Sequence, residues 1–120
     1  MEAASSPWGV RLEKVGRAIV VTPSGPLDDL EAERLREVLD SRHGNYASVV
    51  LDLRDLDGVG EAGLTVLLAQ QAWAREQGIE LAVVTGPAAR ASLERIDAAQ
   101  ELTVVEDIDV VLAPHRPTPG

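Results

Sequence analysis

Three short, largely apolar runs punctuate this chain: residues 18–22 (AIVVT), which is continuous, 48–53 (SVVLDL) and 79–84 (IELAVV). Each is too short for a buried helix and rich in β-branched residues. A strand covered on both faces reads as a continuous apolar run, whereas a half-exposed strand alternates. The segments between the runs carry helical spacing instead. Strands that alternate with helices imply a mostly parallel sheet with right-handed crossovers.

The connecting segments fill in the order. Residues 10–15 alternate through Val10 and Leu12 and predict a leading strand, turned by Gly16-Arg17 into the first run. Pro23-Ser24-Gly25-Pro26 is expected to break that run. A helix then opens at Asp28 or Asp29, with Glu31 and Glu33 in its first turns, where negative charge suits the helix dipole. Its stripe is Leu27, Leu30, Leu35, Val38 and Leu39, and His43-Gly44-Asn45 ends it. Residues 54–60 (RDLDGVG) read as a loop, and residues 61–77 as a long helix with Leu64, Leu67, Leu68 and Ala72 on one face. Gly78 closes that helix. Thr85-Gly86-Pro87 starts another, running to about Ile96 with Ala88, Ser92, Leu93 and Ile96 inward. A short strand at 102–105 and a short helix at 107–113 complete a β-β-α-β-α-β-α-β-α order. The fold class is therefore α/β: one domain over residues 10–113, with a mixed, mostly parallel sheet of about five strands and about four helices. Residues 1–9 and 114–120 are expected to be flexible tails.

Composition limits the function. The aromatics are Trp8, Tyr46 and Trp73, with no Phe, so Val, Leu, Ile and Ala must build the core; Trp73 is expected to pack against it. The absence of Cys excludes disulfides, thiolate catalysis and thiolate metal sites. A net charge of −9 repels phosphate backbones and anionic membranes, so nucleic acid is not an expected partner. No apolar stretch is long enough to span a bilayer, and the start MEAASSP lacks the basic and apolar regions of a secretory signal. A cytoplasmic protein is expected.

Catalytic chemistry is poorly served. His43 and His115 stand near no paired carboxylate or elbow serine, so a histidine-mediated triad is not expected. Asp52, Asp55 and Asp57 form an acidic run near a strand end, although isolated loop carboxylates are usually solvated and no metal site is expected. Gly58, Gly60 and Gly63 fit G-x-G-x-x-G before a helix. A dinucleotide fingerprint, however, starts directly after a strand, and Glu61 would put negative charge into the phosphate site. Neither a cofactor nor a catalytic residue is expected. What remains is a helix N-terminus kept clear of side chains by three glycines, with Glu61 in its first turn, where an acidic residue contributes roughly 0.3–1 kcal/mol.

The stretch SVVLDLRDLDGVGEAGLTVLLAQQAWAREQGIELAVV resembles the central region of STAS domains of the anti-sigma-factor antagonist type. There an LDL strand, a short loop, a D-S-S-G-L motif, a long helix, a Gly and another apolar strand follow in that order. Gly25–Asp28 (GPLD) resembles the family's G-E-L-D, and the sequence from Arg90 to Leu112 its C-terminal region. The resemblance implies a non-enzymatic regulator that docks on an anti-sigma factor or related histidine-kinase-type ATPase. In that partner switching, the kinase phosphorylates the first Ser of the motif, and phosphate at the helix N-terminus blocks docking. Aligned from Leu51-Asp52-Leu53, Gly60 stands at the family Asp, Glu61 at the phosphorylated Ser, Ala62 at the second Ser and Gly63-Leu64 at Gly-Leu. The phosphoacceptor is missing, and Thr65 lies inside the helix, so no phosphorylation switch is expected here. Glu61 either mimics the phosphorylated state, contacts a more basic partner, or marks a site that only scaffolds.

By this resemblance the partner-binding residues are Asp28, Gly58, Gly60, Glu61, Ala62, Gly63 and Leu64, on a monomer or weak homodimer. Two other roles remain open: the soluble STAS subunit of an ABC-type lipid transporter, bracing its ATPase, and a small-molecule or nucleotide-binding STAS domain.

Overall fold

A computed structural model describes residues 9–27, 29–41 and 46–116, except for the side chains at 98 and 99. Asp28, the His43-Gly44-Asn45 helix end and Trp8 lie outside the described residues. The elements are β1 (Gly9–Val15), β2 (Ala18–Leu27), α1 (Asp29–Ser41), β3 (Ser48–Leu53), β4 (Leu56–Val59), α2 (Glu61–Gln77), β5 (Glu80–Thr85), α3 (Pro87–Glu94), β6 (Val104–Val105) and α4 (Ile108–Leu112). Short 3-10 turns cover Asp97–Glu101 and Ala113–His115. The first strand begins at Gly9 and the last 3-10 turn ends at His115.

The sheet runs β1-β2-β3-β5-β6, with β4 attached to β2. Among the described residues, only the β1–β2 hairpin is antiparallel; the other pairings are parallel. Every residue of β3 is buried, Ser48 and Asp52 included. The expected α/β class, with a mixed and mostly parallel sheet, is the observed one.

Two expectations fail at the same place. The Pro23–Pro26 segment does not end β2, which continues to Leu27. Residues 54–60 are not all loop, because Leu56–Val59 form β4 beside the extended end of β2. The pairing explains how Pro23 is tolerated. β2 pairs with β3 only as far as Val21↔Leu51 and meets β4 only from Gly25↔Leu56. Pro23 falls in the gap, where a missing N–H breaks no parallel ladder. The register shifts between Gly25 and Pro26, and Gly25 takes φ +88°, a bend closed to most other residues. Burial drives the arrangement: Leu56 and Val59 are 3% and 7% exposed.

α1, α2 and α3 pack on one face, joining Leu35, Leu39, Leu64, Leu67, Ala74, Ala89 and Leu93 to Val21, Leu51 and Val83 of the sheet. The other face, around Val20, Val50 and Val84, is covered by Val111 and Leu112 of α4. α2 is rotated from the expected stripe. Its buried residues are Gly63, Leu64, Leu67, Gln70, Gln71 and Ala74, whereas Ala72 is exposed and Leu68 half-buried. Two glutamines turn inward because each finds a partner: Gln70 Nε2 donates to Asp40 Oδ1 at 3.1 Å, and Gln71 Oε1 accepts from the Thr103 backbone N–H at 2.9 Å. α3 is likewise rotated, burying Ala89 and Leu93 while Ala88, Ser92 and Ile96 are half-buried. Trp73 packs half-buried against the core, as expected.

Candidate functional site: the β4–α2 junction

β4 runs straight into α2 through one residue. Gly60 is the N-cap, in extended backbone at φ −86° and ψ −177°, and no side chain caps the helix. Its carbonyl accepts the first helical bond, from the Leu64 N–H, at 2.9 Å. The first turn therefore presents bare backbone N–H groups, the arrangement that favours negative charge. Glu61, the first helical residue, is exposed there.

The junction is held from beneath. Gly63 lies so close to β2 that an added Cβ would sit 2.6 Å from Leu27 Cδ2 and 3.3 Å from the Leu27 carbonyl oxygen. Gly58 faces Ser92, whose hydroxyl accepts from the Val59 N–H at 3.2 Å and donates to the Ala88 carbonyl at 3.2 Å. α3 is thereby tied to β4. Around Gly60 an added Cβ would meet only ordinary contacts. Of the three glycines in the G-x-G-x-x-G match, only Gly63 is therefore sterically demanded, and Gly58 lies within a strand instead of after it. The spacing serves close packing of helix on strand.

The structure brings together Gly58, Gly60, Glu61, Ala62, Gly63 and Leu64. Leu64 and Gly63 are buried, Ala62 and Gly58 half-buried, and Gly60 and Glu61 exposed. Leu64 therefore supports the surface from within the core. Thr65 is exposed, but its hydroxyl donates to the Glu61 carbonyl at 2.9 Å inside the helix. Leu27 and Ser92 were not among the expected site residues, yet they fix the junction. Leu27 reads in sequence as the first residue of the α1 stripe and as part of GPLD, but it is the buried last residue of β2. Ser92 carried a signal: it is a lone hydroxyl beside the Ala and Leu residues of the helix's inner face.

The three aspartates separate. Asp52 is buried and accepts from Arg54 Nε at 2.8 Å, Nη2 at 2.7 Å and the backbone N–H at 3.2 Å. Burial would push its carboxyl up, but the Arg54 hydrogen bonds and charge outweigh this and hold it below the ordinary carboxylate range. Asp55 is exposed, 3.8 Å from Arg11, and Asp57 is also exposed. Asp52 and Arg54 line a groove of about 540 Å³ on the α4 face, beside Arg11, Glu13, Leu112 and Arg116. Among the described residues no His, Asp and Glu side chains cluster as metal ligands would, and no helix is long and apolar enough to cross a membrane.

Comparison with known proteins agrees with this fold. The STAS domain model matches residues 10–111. No curated protein sequence gives a match. Among solved structures, an anti-sigma factor antagonist from Mycobacterium paratuberculosis superposes with a TM-score of 0.77 at 23% identity, covering 98% of this chain and 100% of its own. The anti-sigma factor antagonist SpoIIAA in its unphosphorylated form gives 0.69 at 15% identity, covering 86% of this chain and 93% of its own. Phosphorylated SpoIIAA, a Bacillus cell fate determinant, gives 0.65 at 15% identity over 86% of this chain and 96% of its own. These likenesses speak for the fold. The family match runs from β1 into α4, through the β4–α2 junction, and this chain belongs to the STAS domain family.

Proposed function

We propose that this STAS domain is a non-enzymatic regulator of the anti-sigma-factor antagonist type. It docks through residues 58–64 onto an anti-sigma factor or a related kinase-type ATPase. The observation that carries this reading is the β4–α2 junction: an exposed helix start with a bare glycine cap, braced by Leu27 and Ser92. A rigid edge of this kind suits recognition by another protein surface better than turnover, because no base or nucleophile accompanies Glu61. Asp28 belongs to the proposed face by its sequence position alone.

Glu61 stands where the motif carries its phosphoacceptor serine, so this domain is not switched by phosphorylation there. A fixed single charge sits at the helix N-terminus, where a phosphate would bring nearly two. With Asp57 also exposed nearby in sequence, the face selects a basic patch on its partner. Incubation with a captured kinase partner and ATP, followed by intact-mass measurement, tests the lost switch. Wild type should gain no phosphate, and Glu61→Ser should gain one. A phosphate on wild type within residues 58–65 would contradict it.

A further inference from the structure

Among the described residues, β1 is an outer strand of the sheet, paired with β2 alone. Its seven residues hold an unbroken register from Gly9↔Ser24 to Val15↔Ala18, with no proline and no bulge. The edge at the other end of the sheet, β6, has only two residues. Half of the β1 backbone donors and acceptors thus face outward along a straight edge, the feature that proteins normally cover or blunt. Its side chains are arranged by sign. Arg11 and Glu13 stand opposite Thr22 and Val20 and so share the α4 face, whereas Leu12 and Lys14 stand opposite Val21 and Ile19 on the other. Leu12 is 40% exposed, and the Arg11 side chain is 80% exposed.

We infer that the outer edge of β1 is a self-association surface, on which a second copy of this chain adds its own β1 antiparallel, with Leu12 on the two-fold axis. Charge complementarity selects that register. With Leu12 opposite Leu12, Arg11 of each copy meets Glu13 of the other, so two opposite-charge pairs flank one apolar pair. A shift that centres Glu13 puts Glu13 against itself, and one that centres Arg11 puts Arg11 against itself. Like charges then face each other on the axis. The pattern thus admits one pairing and penalises its neighbours, which distinguishes specific association from open-ended edge aggregation. Within one copy, the only ion-pair neighbour of Arg11 among the described residues is Asp55, at 3.8 Å and largely exposed, so a cross-strand carboxylate competes readily. Glu13 and Lys14 form no ion pair within one copy among the described residues. Residues 58–64 take no part in the contact, so this inference stands independently of the docking proposal.

Sedimentation velocity on the full chain tests it, with folding of each variant checked by circular dichroism. Wild type should dimerise reversibly, and more weakly as salt is raised. Arg11→Glu and Glu13→Arg each place like charges across the axis and should weaken dimerisation by about tenfold or more. Mixing these two variants restores both attractive pairs, so the mixture should dimerise where each alone is monomeric. A wild type that stays monomeric up to about 1 mM would overturn the inference. So would folded single variants that dimerise as wild type does, or a mixture no more associated than its components.

Discussion

On one face of the sheet lie α1, α2 and α3, of 13, 17 and 8 residues; on the other lies α4, of 5. The first face is closed by a continuous layer of Leu, Val and Ala around Leu51, Leu67 and Val83, all fully buried. The second closes over Ala18, Val20, Val50, Ala82 and Val84, and then opens into a groove lined in part by charged side chains. The contrast shows where the domain keeps its rigidity. The proposed docking edge is built from the thick side, with α2 seated on Leu27 and β4 tied to α3, so its geometry is inherited from the main core. The thin side carries the charged lining instead.

If the contrast is right, truncation costs more on the thick face. Leu67→Ala removes a fully buried side chain at the centre of α2 and should cost about 3 kcal/mol in chemical denaturation. Leu112→Ala makes the matching change on the thin face. It should cost about 2 kcal/mol, because the groove beside it lets the cavity relax or fill with water. Equal losses would erase the distinction. Gly63→Ala drives a methyl group into Leu27 and should cost about 2 kcal/mol while moving the start of α2, which amide NMR shifts at residues 60–65 would report.

Asp52→Asn sharpens the comparison by separating polar from apolar support. It keeps the shape but loses the charged pair with half-exposed Arg54, and should cost about 1 kcal/mol at pH 7. The sign with pH follows from the direction of the shift. Because the folded-state carboxyl is held below its unfolded value, the stabilisation is complete above the unfolded pKa and is lost as pH falls through the folded one. The gap between wild type and Asp52→Asn in urea midpoint should therefore close at acid pH; a gap that widened there would contradict the assignment. Smallest of all, Glu61→Ala should change stability by about 0.5 kcal/mol or less, since Glu61 is exposed and bonds no side chain among the described residues.

Most of this architecture could be read from the residues, because the apolar runs of β2, β3 and β5 leave no alternative to buried strands. The bounds of α2, Glu61 and Gln77, follow from the glycines that flank it, Gly60 at the N-cap and left-handed Gly78 at φ +71°. β4 could not be read. Leu56-Asp57-Gly58-Val59 has turn-like composition, and only the extension of β2 past two prolines makes it a strand. The rotation of α2 was hidden for a related reason: Gln70 and Gln71 look like surface residues until Asp40 and the Thr103 N–H are seen to receive them. At the site, the glycine spacing was legible but its purpose was not, because Gly63 answers to Leu27, far away in sequence.

The most direct measurement is calorimetric titration of the chain, one at a time, with the anti-sigma factors of its own organism, using wild type, Glu61→Lys and Leu112→Ala. The account predicts that one of them binds wild type, that Glu61→Lys weakens this binding by about tenfold or more, and that folded Leu112→Ala on the thin face binds as wild type does. Binding that ignores Glu61→Lys, or that is lost with Leu112→Ala alone, would contradict it, as would the absence of binding to any of them.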